Sequence, residues 1–288
     1  MVVIGLLKNG NNLIKDLNFI VSGHLPPQWL IPSYMKYQKL ILKKKFFAYI
    51  HFMDAHLPYN ENKFTYYFCK EKTSQKIADP SKLSADYLRW VTLRKMLNTS
   101  DKDFVRSLYD GQIRYIDSEI KRIIDFLKEI NIYKNTVLII TSDHGEEFWE
   151  HDNFEHGHSL YEEVIRIPLI IKTDKEEGKR IEYPVSLISI APTILDLTGI
   201  KYRLAPFQGQ SLFNSVKRKN SRNDEIFLYG TLYGYEKYGV IKSGKKLIVN
   251  TFNPLNKLKF IGLSSSETYE LYNLLDDCKC QGLFPLFR

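Results

Sequence analysis

The sequence of 288 residues is poor in cysteine and in long apolar segments. Its three cysteines, Cys69, Cys278 and Cys280, are odd in number and form no C-x-x-C pair, which argues against a disulfide framework. Charged residues interrupt every apolar run well short of the roughly 18 residues that a membrane-spanning helix needs. Residues 1–8 also lack the basic start of a signal peptide. These absences predict a cytoplasmic protein with free thiols.

Acidic residues are fewer than basic ones: 33 Asp and Glu stand against 41 Lys and Arg, a net charge of +8. Such a balance suits anionic partners, among them nucleic acid, membrane surfaces and sulfate or phosphate esters. The sequence contains no Arg-rich recognition helix, and the run Lys43–Lys45 is typical of a solvated helix end. We therefore expect an anionic small molecule or glycan ester as the partner, and no nucleic acid.

The pattern of apolar residues predicts an α/β fold. Phe46–Met53 and Thr136–Thr141 are continuous apolar runs that indicate buried strands, and residues 101–130 repeat apolar side chains at helical spacing between them. Beyond about residue 200, short strand patterns separated by Gly and Lys predict a small antiparallel lobe. We divide the chain into an irregular or helical lead-in (1–45), an α/β core (46–215) and a small C-terminal β-rich subdomain (216–288).

The stretch after the second strand carries the strongest chemical signal. Asp143 and His144 stand side by side there, and Gly145 would let the backbone bend so that both reach one ion. A carboxylate with an imidazole is a ligand pair for divalent metals, and open α/β sheets bind ligands beyond the carboxyl ends of their strands. The alternative is a loop in which Asp143 caps a helix and His144 is solvated.

Three further histidines are candidates for handling an anion. His56 follows the first strand, and His156 and His158 lie on either side of Gly157 in an extended or looping segment. Each could donate to a charged ester oxygen or protonate a leaving group. Each could equally be a solvated loop histidine, but two strand ends that both deliver His and Asp favour one shared crevice.

Several motifs occur in a fixed order along the chain. They are FFAYIHFMDAHLPY (46–59), YDGQIRYIDSEIKRIIDFL (109–127), VLIITSDHGEE (137–147), HGHSLYEEVIRIP (156–168) and IAPTILDLTG (190–199), with a fainter ELYN (270–273). Together they resemble the sulfatase family of the alkaline-phosphatase-like superfamily. The resemblance runs from about residue 46 to 215.

This resemblance implies a mixed β-sheet sandwiched by helices, with a small C-terminal antiparallel lobe. It implies hydrolysis of sulfate esters at a divalent cation: calcium first, with magnesium, manganese or zinc as alternatives. The alternative within the superfamily is a hydrolase or transferase that acts on phosphate or phosphonate esters. Asp143 and His144 match metal ligands of the family. His56 matches a histidine that contacts the sulfate or assists the leaving oxygen, and His156 or His158 matches a substrate-binding residue.

The sequence departs from the family at its start. Members carry an acidic pair and a Cys/Ser-x-Pro-x-Arg nucleophile motif after their first strand, whereas residues 1–45 contain Asp16 as their only acid and no Arg. We therefore expect the fold to be incomplete at the N-terminus, with an edge or gap in the sheet. The alternatives are a fragment, a chain that pairs with a polypeptide carrying the missing half, or a non-catalytic remnant that binds an anion or a partner.

Overall fold

The computed structural model describes residues 2–8, 18–22, 46–69, 97–174, 178, 180–201, 207–213, 225–230, 236–251, 268–274 and 284–286. Its strands are β1 (Val2–Lys8), β2 (Asn18–Ser22), β3 (Phe46–Phe52), β4 (Thr136–Ser142), β5 (Glu147–Phe148), β6 (Phe154–Glu155), β7 (Leu169–Lys172), β8 (Ile226–Tyr229), β9 (Glu236–Lys242), β10 (Lys245–Thr251), β11 (Thr268–Asn273) and β12 (Phe284–Leu286). The helices are α1 (Thr65–Phe68), α2 (Thr99–Glu129), α3 (Glu162–Ile165) and α4 (Ile190–Thr198), with a 3₁₀ turn at Leu187–Ser189.

The chain forms two compact units. The first comprises Met1–Glu155, Ile167–Gly178 and Leu195–Tyr202. It contains a mixed sheet with the strand order β2-β3-β1-β4-β7. Strand β2 is parallel to β3, whereas β1 is antiparallel to both β3 and β4, and β7 is antiparallel to β4.

Helix α2 supplies the main packing partner of this sheet. It begins after Asn98, whose side chain forms a capping box with Asp101 and so satisfies two backbone N–H groups of the first turn. Its apolar face, including Ile116, Ile123 and Phe126, is buried together with alternate residues of β3. The even-numbered residues of β3 point into this core because side chains alternate along a strand.

The second unit comprises His156–Arg166, Lys179–Ile194 and Arg203–Arg288. Its sheet is antiparallel throughout, with the order β12-β11-β10-β9-β8. Leu160, Ile248 and Tyr272 form its buried core, against which Ile165 of α3 packs. The segment that follows His158 thus folds with the C-terminal sheet.

The predicted fold class is confirmed: a mixed sheet packs with helices, and a separate antiparallel sheet lies near the C-terminus. The expected gap does not occur among the described strands, because β1 lies between β3 and β4. Two described stretches of the lead-in, β1 and β2, are strands. The division into 1–45, 46–215 and 216–288 stays a prediction. No helix within the described ranges is long and apolar enough to cross a membrane.

Candidate metal and anion site

Strands β3 and β4 end at the same edge of the mixed sheet. Because β1 is antiparallel to both, β3 and β4 run in the same direction. Phe52 and Ser142 are each paired with Val2, so the two strands end at the same level, roughly 10 Å apart given two strand spacings. The loops that carry His56 and Asp143 therefore leave the sheet side by side.

The turn after β4 is held by hydrogen bonds among its own residues. The Ser142 hydroxyl donates to the carbonyl of His144 at 2.8 Å, and the His144 backbone N–H donates to Asp143 Oδ1 at 3.1 Å. His144 Nδ1 lies 2.8 Å from the carbonyl oxygen of Gly145. A carbonyl can only accept, so Nδ1 carries the proton and Nε2 is the nitrogen whose lone pair can bind a cation.

The two donor atoms of this pair converge. His144 Nε2 lies 3.7 Å from Asp143 Oδ2, and the side chains are 26% and 40% exposed. Metal–ligand bonds of roughly 2.0–2.6 Å let two atoms at that separation share one cation. The donor set thus fits half of a divalent-cation site that a ligand can reach from solvent.

His56 has the same tautomer as His144. Its Nδ1 lies 2.7 Å from the carbonyl oxygen of Leu57, so this nitrogen is the one that donates. The backbone N–H of His56 donates to the carbonyl of Met53 and closes the turn after β3. Burial raises the pKa of the neighbouring Asp54 above its usual range, and repulsion from Glu119 adds to that shift.

Two buried glutamates follow the Asp143–His144 pair. Glu146 accepts a hydrogen bond from the Tyr59 hydroxyl at 2.5 Å, and Glu147 Oε1 accepts the backbone N–H groups of His151 and Asn153. Glu147 thereby fixes the β5–β6 hairpin. Burial raises the pKa of Tyr59 well above its usual range, and the Glu146 carboxylate raises it further.

Side chains of helix α2 contact the loop that follows β3. The Gln112 side-chain amide donates to the carbonyl of Asn60, and the ring of Tyr109 packs edge-on against Tyr59 at 5.5 Å. Gly111 lies so close to Thr65 that a Cβ there would sit 3.0 Å from its backbone atoms. Side chains of α2 therefore hold the loop at Tyr59 and Asn60, and the backbone of α1 packs closely against Gly111.

His156 and His158 are half-buried residues of the second unit. Gly157 between them has a φ of 84°, a conformation that glycine adopts at little cost, so the chain bends there and is not extended. The following residues are held by Lys246 of β10, which donates to the carbonyl of Leu160 and to Glu162. The predicted role of His156 and His158, which is to bind the anion or protonate its leaving group, stays a prediction.

Sequence reasoning missed Tyr59, Glu146 and Glu147 as residues around the Asp143–His144 turn. In the second unit, it missed Lys246 as the residue that holds the segment after His158. The first three lie inside motifs that the sequence analysis quoted, but nothing in their local pattern showed which of them pair. The available signal was a Glu-Glu pair directly before the aromatic residues Phe148 and Trp149, since carboxylates that are buried need partners.

Comparison with known proteins assigns the family. The family model described as Sulfatase matches residues 30–200, a range that contains all five predicted site residues. A second model, described as N-sulphoglucosamine sulphohydrolase, C-terminal, matches residues 149–282. A relative named Sulfatase from Formosa agariphila is 29% identical over 153 residues, which is 53% of this chain and 29% of that protein.

Solved structures share the fold. One of them is described under the metabolism of multiple glycosaminoglycans by Bacteroides thetaiotaomicron. It aligns with a TM-score of 0.62 and 21% sequence identity, and the alignment covers 88% of this chain and 52% of the solved chain. Another, BT4656 in complex with its substrate D-glucosamine-2-N,6-O-disulfate, aligns with a TM-score of 0.50 at 21% identity over 72% and 42%. The alignments with the curated relatives span less than a third of their length. The family model described as Sulfatase matches more than half of the residues of this chain, and the chain therefore belongs to the sulfatase family.

Proposed function

We propose that this chain supplies the cation- and sulfate-binding part of a sulfate-ester hydrolase. The observation that supports the proposal is that the loops carrying His56 and the Asp143–His144 pair leave the sheet at the same end, from two strands that run in the same direction. Membership of a family of sulfate-ester hydrolases supplies the reaction class.

Asp143 and His144 would hold the cation through a carboxylate oxygen and Nε2. We expect calcium first, with magnesium, manganese and zinc as the alternatives to be compared, because a carboxylate with an imidazole suits several divalent ions. A cation bound there would supply positive charge to the ester oxygens. The net charge of +8 acts in the same direction by attracting anionic substrates.

His56 would bind the sulfate group or protonate the leaving oxygen. Its Nδ1–H is bonded to the Leu57 carbonyl, so Nε2 is the atom that would face the ester. His156 and His158 are proposed as further substrate-binding groups. A sulfated sugar is the favoured substrate class, because the second family model is described by an N-sulphoglucosamine sulphohydrolase and BT4656 binds a glucosamine disulfate.

Hydrolysis also requires an activated nucleophile and further acidic ligands. Residues 1–45 contain no match to the Cys/Ser-x-Pro-x-Arg motif. We propose that a second polypeptide segment brings these groups.

Calorimetric titration with 4-nitrophenyl sulfate tests the proposal. Binding should require Ca²⁺ and should weaken at least tenfold in His56→Gln, an effect on the scale of losing one charge-assisted hydrogen bond. His51→Gln, at a histidine within β3 outside the loop, is the matched control and should bind like the wild type. Binding that is absent, or indifferent to Ca²⁺ and to His56→Gln, would refute the proposal.

The second candidate function is that of a non-catalytic module that binds an anion. It is favoured because residues 1–45 contain no match to the nucleophile motif. Turnover of 4-nitrophenyl sulfate by the protein in its natural complex, lost in His56→Gln, would exclude the module. Parallel reactions with 4-nitrophenyl phosphate decide between sulfate and phosphate esters.

A further inference from the structure

A hydrogen bond joins the two loops that carry the candidate site residues. The Tyr59 hydroxyl belongs to the loop after β3 and donates to Glu146 Oε2, in the segment after β4, at 2.5 Å. The two residues are 87 positions apart in the chain. Tyr59 stands three residues after His56, and Glu146 stands two residues after His144. The bond therefore connects the predicted anion-binding histidine to the predicted metal ligands through two very short tethers.

Burial makes this contact rigid. Tyr59 has no exposed surface and Glu146 is 8% exposed. The Tyr59 ring is enclosed by Leu57, Leu108 and Phe148. A carboxylate in such surroundings needs a donor, and a hydrogen bond to a charged acceptor is about twice as strong as a neutral one. Neither side chain can leave the contact without exposing a buried polar group to an apolar core.

Further hydrogen bonds hold the chain close to both tethers. The Ser142 hydroxyl holds the carbonyl of His144 on one side, and the Gln112 amide holds the carbonyl of Asn60 on the other. The bond between Tyr59 and Glu146 links these two segments to each other. Its role thus extends beyond the stability of each loop taken separately.

We propose that Tyr59 and Glu146 are positioning residues that set the placement of His56 relative to Asp143 and His144. They act through the loops, and the contacts that define them are with each other rather than with a ligand. The significance of that placement rests on the proposed function, but the positioning itself is a property of the protein without any ligand.

Long-range ¹H–¹⁵N spectra of the histidine side chains test the positioning directly. Tyr59→Phe removes the donor and should shift the imidazole signals of both His56 and His144. Glu146→Gln keeps an oxygen that can accept from Tyr59, and its spectrum should stay close to that of the wild type. Tyr109→Phe is the matched control: it removes a hydroxyl from the ring that packs on Tyr59 and should leave both histidine signals in place.

Binding provides the second measurement. Tyr59→Phe should weaken the Ca²⁺-dependent binding of 4-nitrophenyl sulfate by roughly 10-fold or more, as the loss of groups that orient metal ligands does. Glu146→Gln should stay within a few-fold of the wild type. A Tyr59→Phe variant that is less stable in urea but leaves both histidine signals unmoved would overturn the proposal and reduce the bond to a structural role. If the wild-type protein binds neither calcium nor ester, the proposed function fails while the spectra still decide on the positioning.

Discussion

Lys246 Nζ lies 2.9 Å from Glu162 Oε1, and the lysine side chain is fully buried. The same ammonium group donates to the carbonyl of Leu160 at 3.0 Å and stands 5.1 Å from the ring of Tyr272. Desolvating an ammonium ion costs several kcal/mol unless partners of this kind surround it. The contact therefore fixes the segment that follows His158 onto strand β10.

Replacing Lys246 with methionine should destabilise the protein by about 3 kcal/mol, because Glu162 and the Leu160 carbonyl lose their shared donor in a largely buried place. Urea denaturation followed by circular dichroism measures the loss. Lys245→Met is the matched control, since Lys245 is exposed on the same strand and should change stability by about 0.5 kcal/mol or less. Equal effects of the two substitutions would contradict a structural role for the buried ammonium group.

Gly111→Ala should destabilise the protein by about 1 kcal/mol. In an open helix the same change stabilises by a similar amount. Here the new Cβ would sit 3.0 Å from backbone atoms of Thr65, so helix α1 must move away from α2 by a few tenths of an ångström. Gly178→Ala, where a Cβ would meet nothing within 4 Å, is the control and should be close to neutral. A stabilising Gly111→Ala would show that α1 can move aside without a loss of stability.

Asp54→Asn should stabilise the protein at neutral pH, with a gain that shrinks in acid. Burial and Glu119 raise the folded-state pKa of Asp54 above the ordinary 3.8. A raised pKa stabilises the folded state below the unfolded pKa, and that contribution is lost as the pH rises through the folded value. The charged carboxylate is then a cost at pH 7.5 that asparagine removes.

Urea denaturation at pH 4 and pH 7.5 measures this difference. Asp103→Asn, at an exposed aspartate of α2, should show no gain at pH 7.5. An Asp54→Asn variant that is less stable than the wild type at pH 7.5 would indicate that the carboxylate serves a stabilising contact instead.

The parts of the fold that local pattern determines were predictable. Strands β3 and β4 are continuous apolar runs, and α2 repeats apolar residues every three or four positions over 31 residues. Each of these elements can therefore be recognised from its own residues, without knowledge of what it packs against. The antiparallel C-terminal sheet was predictable for the same reason, from short alternating strands separated by turns.

Long-range pairing was not predictable in this way. Strand β1 acquires its place only through two partners that lie some 45 and 135 residues further along the chain. Tyr59 and Glu146 are likewise joined only in the folded protein, so the sequence indicated His56, Asp143 and His144 as chemistry-bearing residues but not the bond between their loops. Their assignment to a metal and an anion stays a prediction.

The central claim is that Asp143 and His144 hold a divalent cation, and calorimetric titration with Ca²⁺ examines it most directly. We predict binding by the wild-type protein, loss of at least tenfold in affinity in Asp143→Ala, and unchanged binding in Asp103→Ala, with Mg²⁺, Mn²⁺ and Zn²⁺ titrated in parallel to identify the preferred ion. Absence of binding for all four ions, or an affinity that Asp143→Ala leaves unchanged, would contradict the claim.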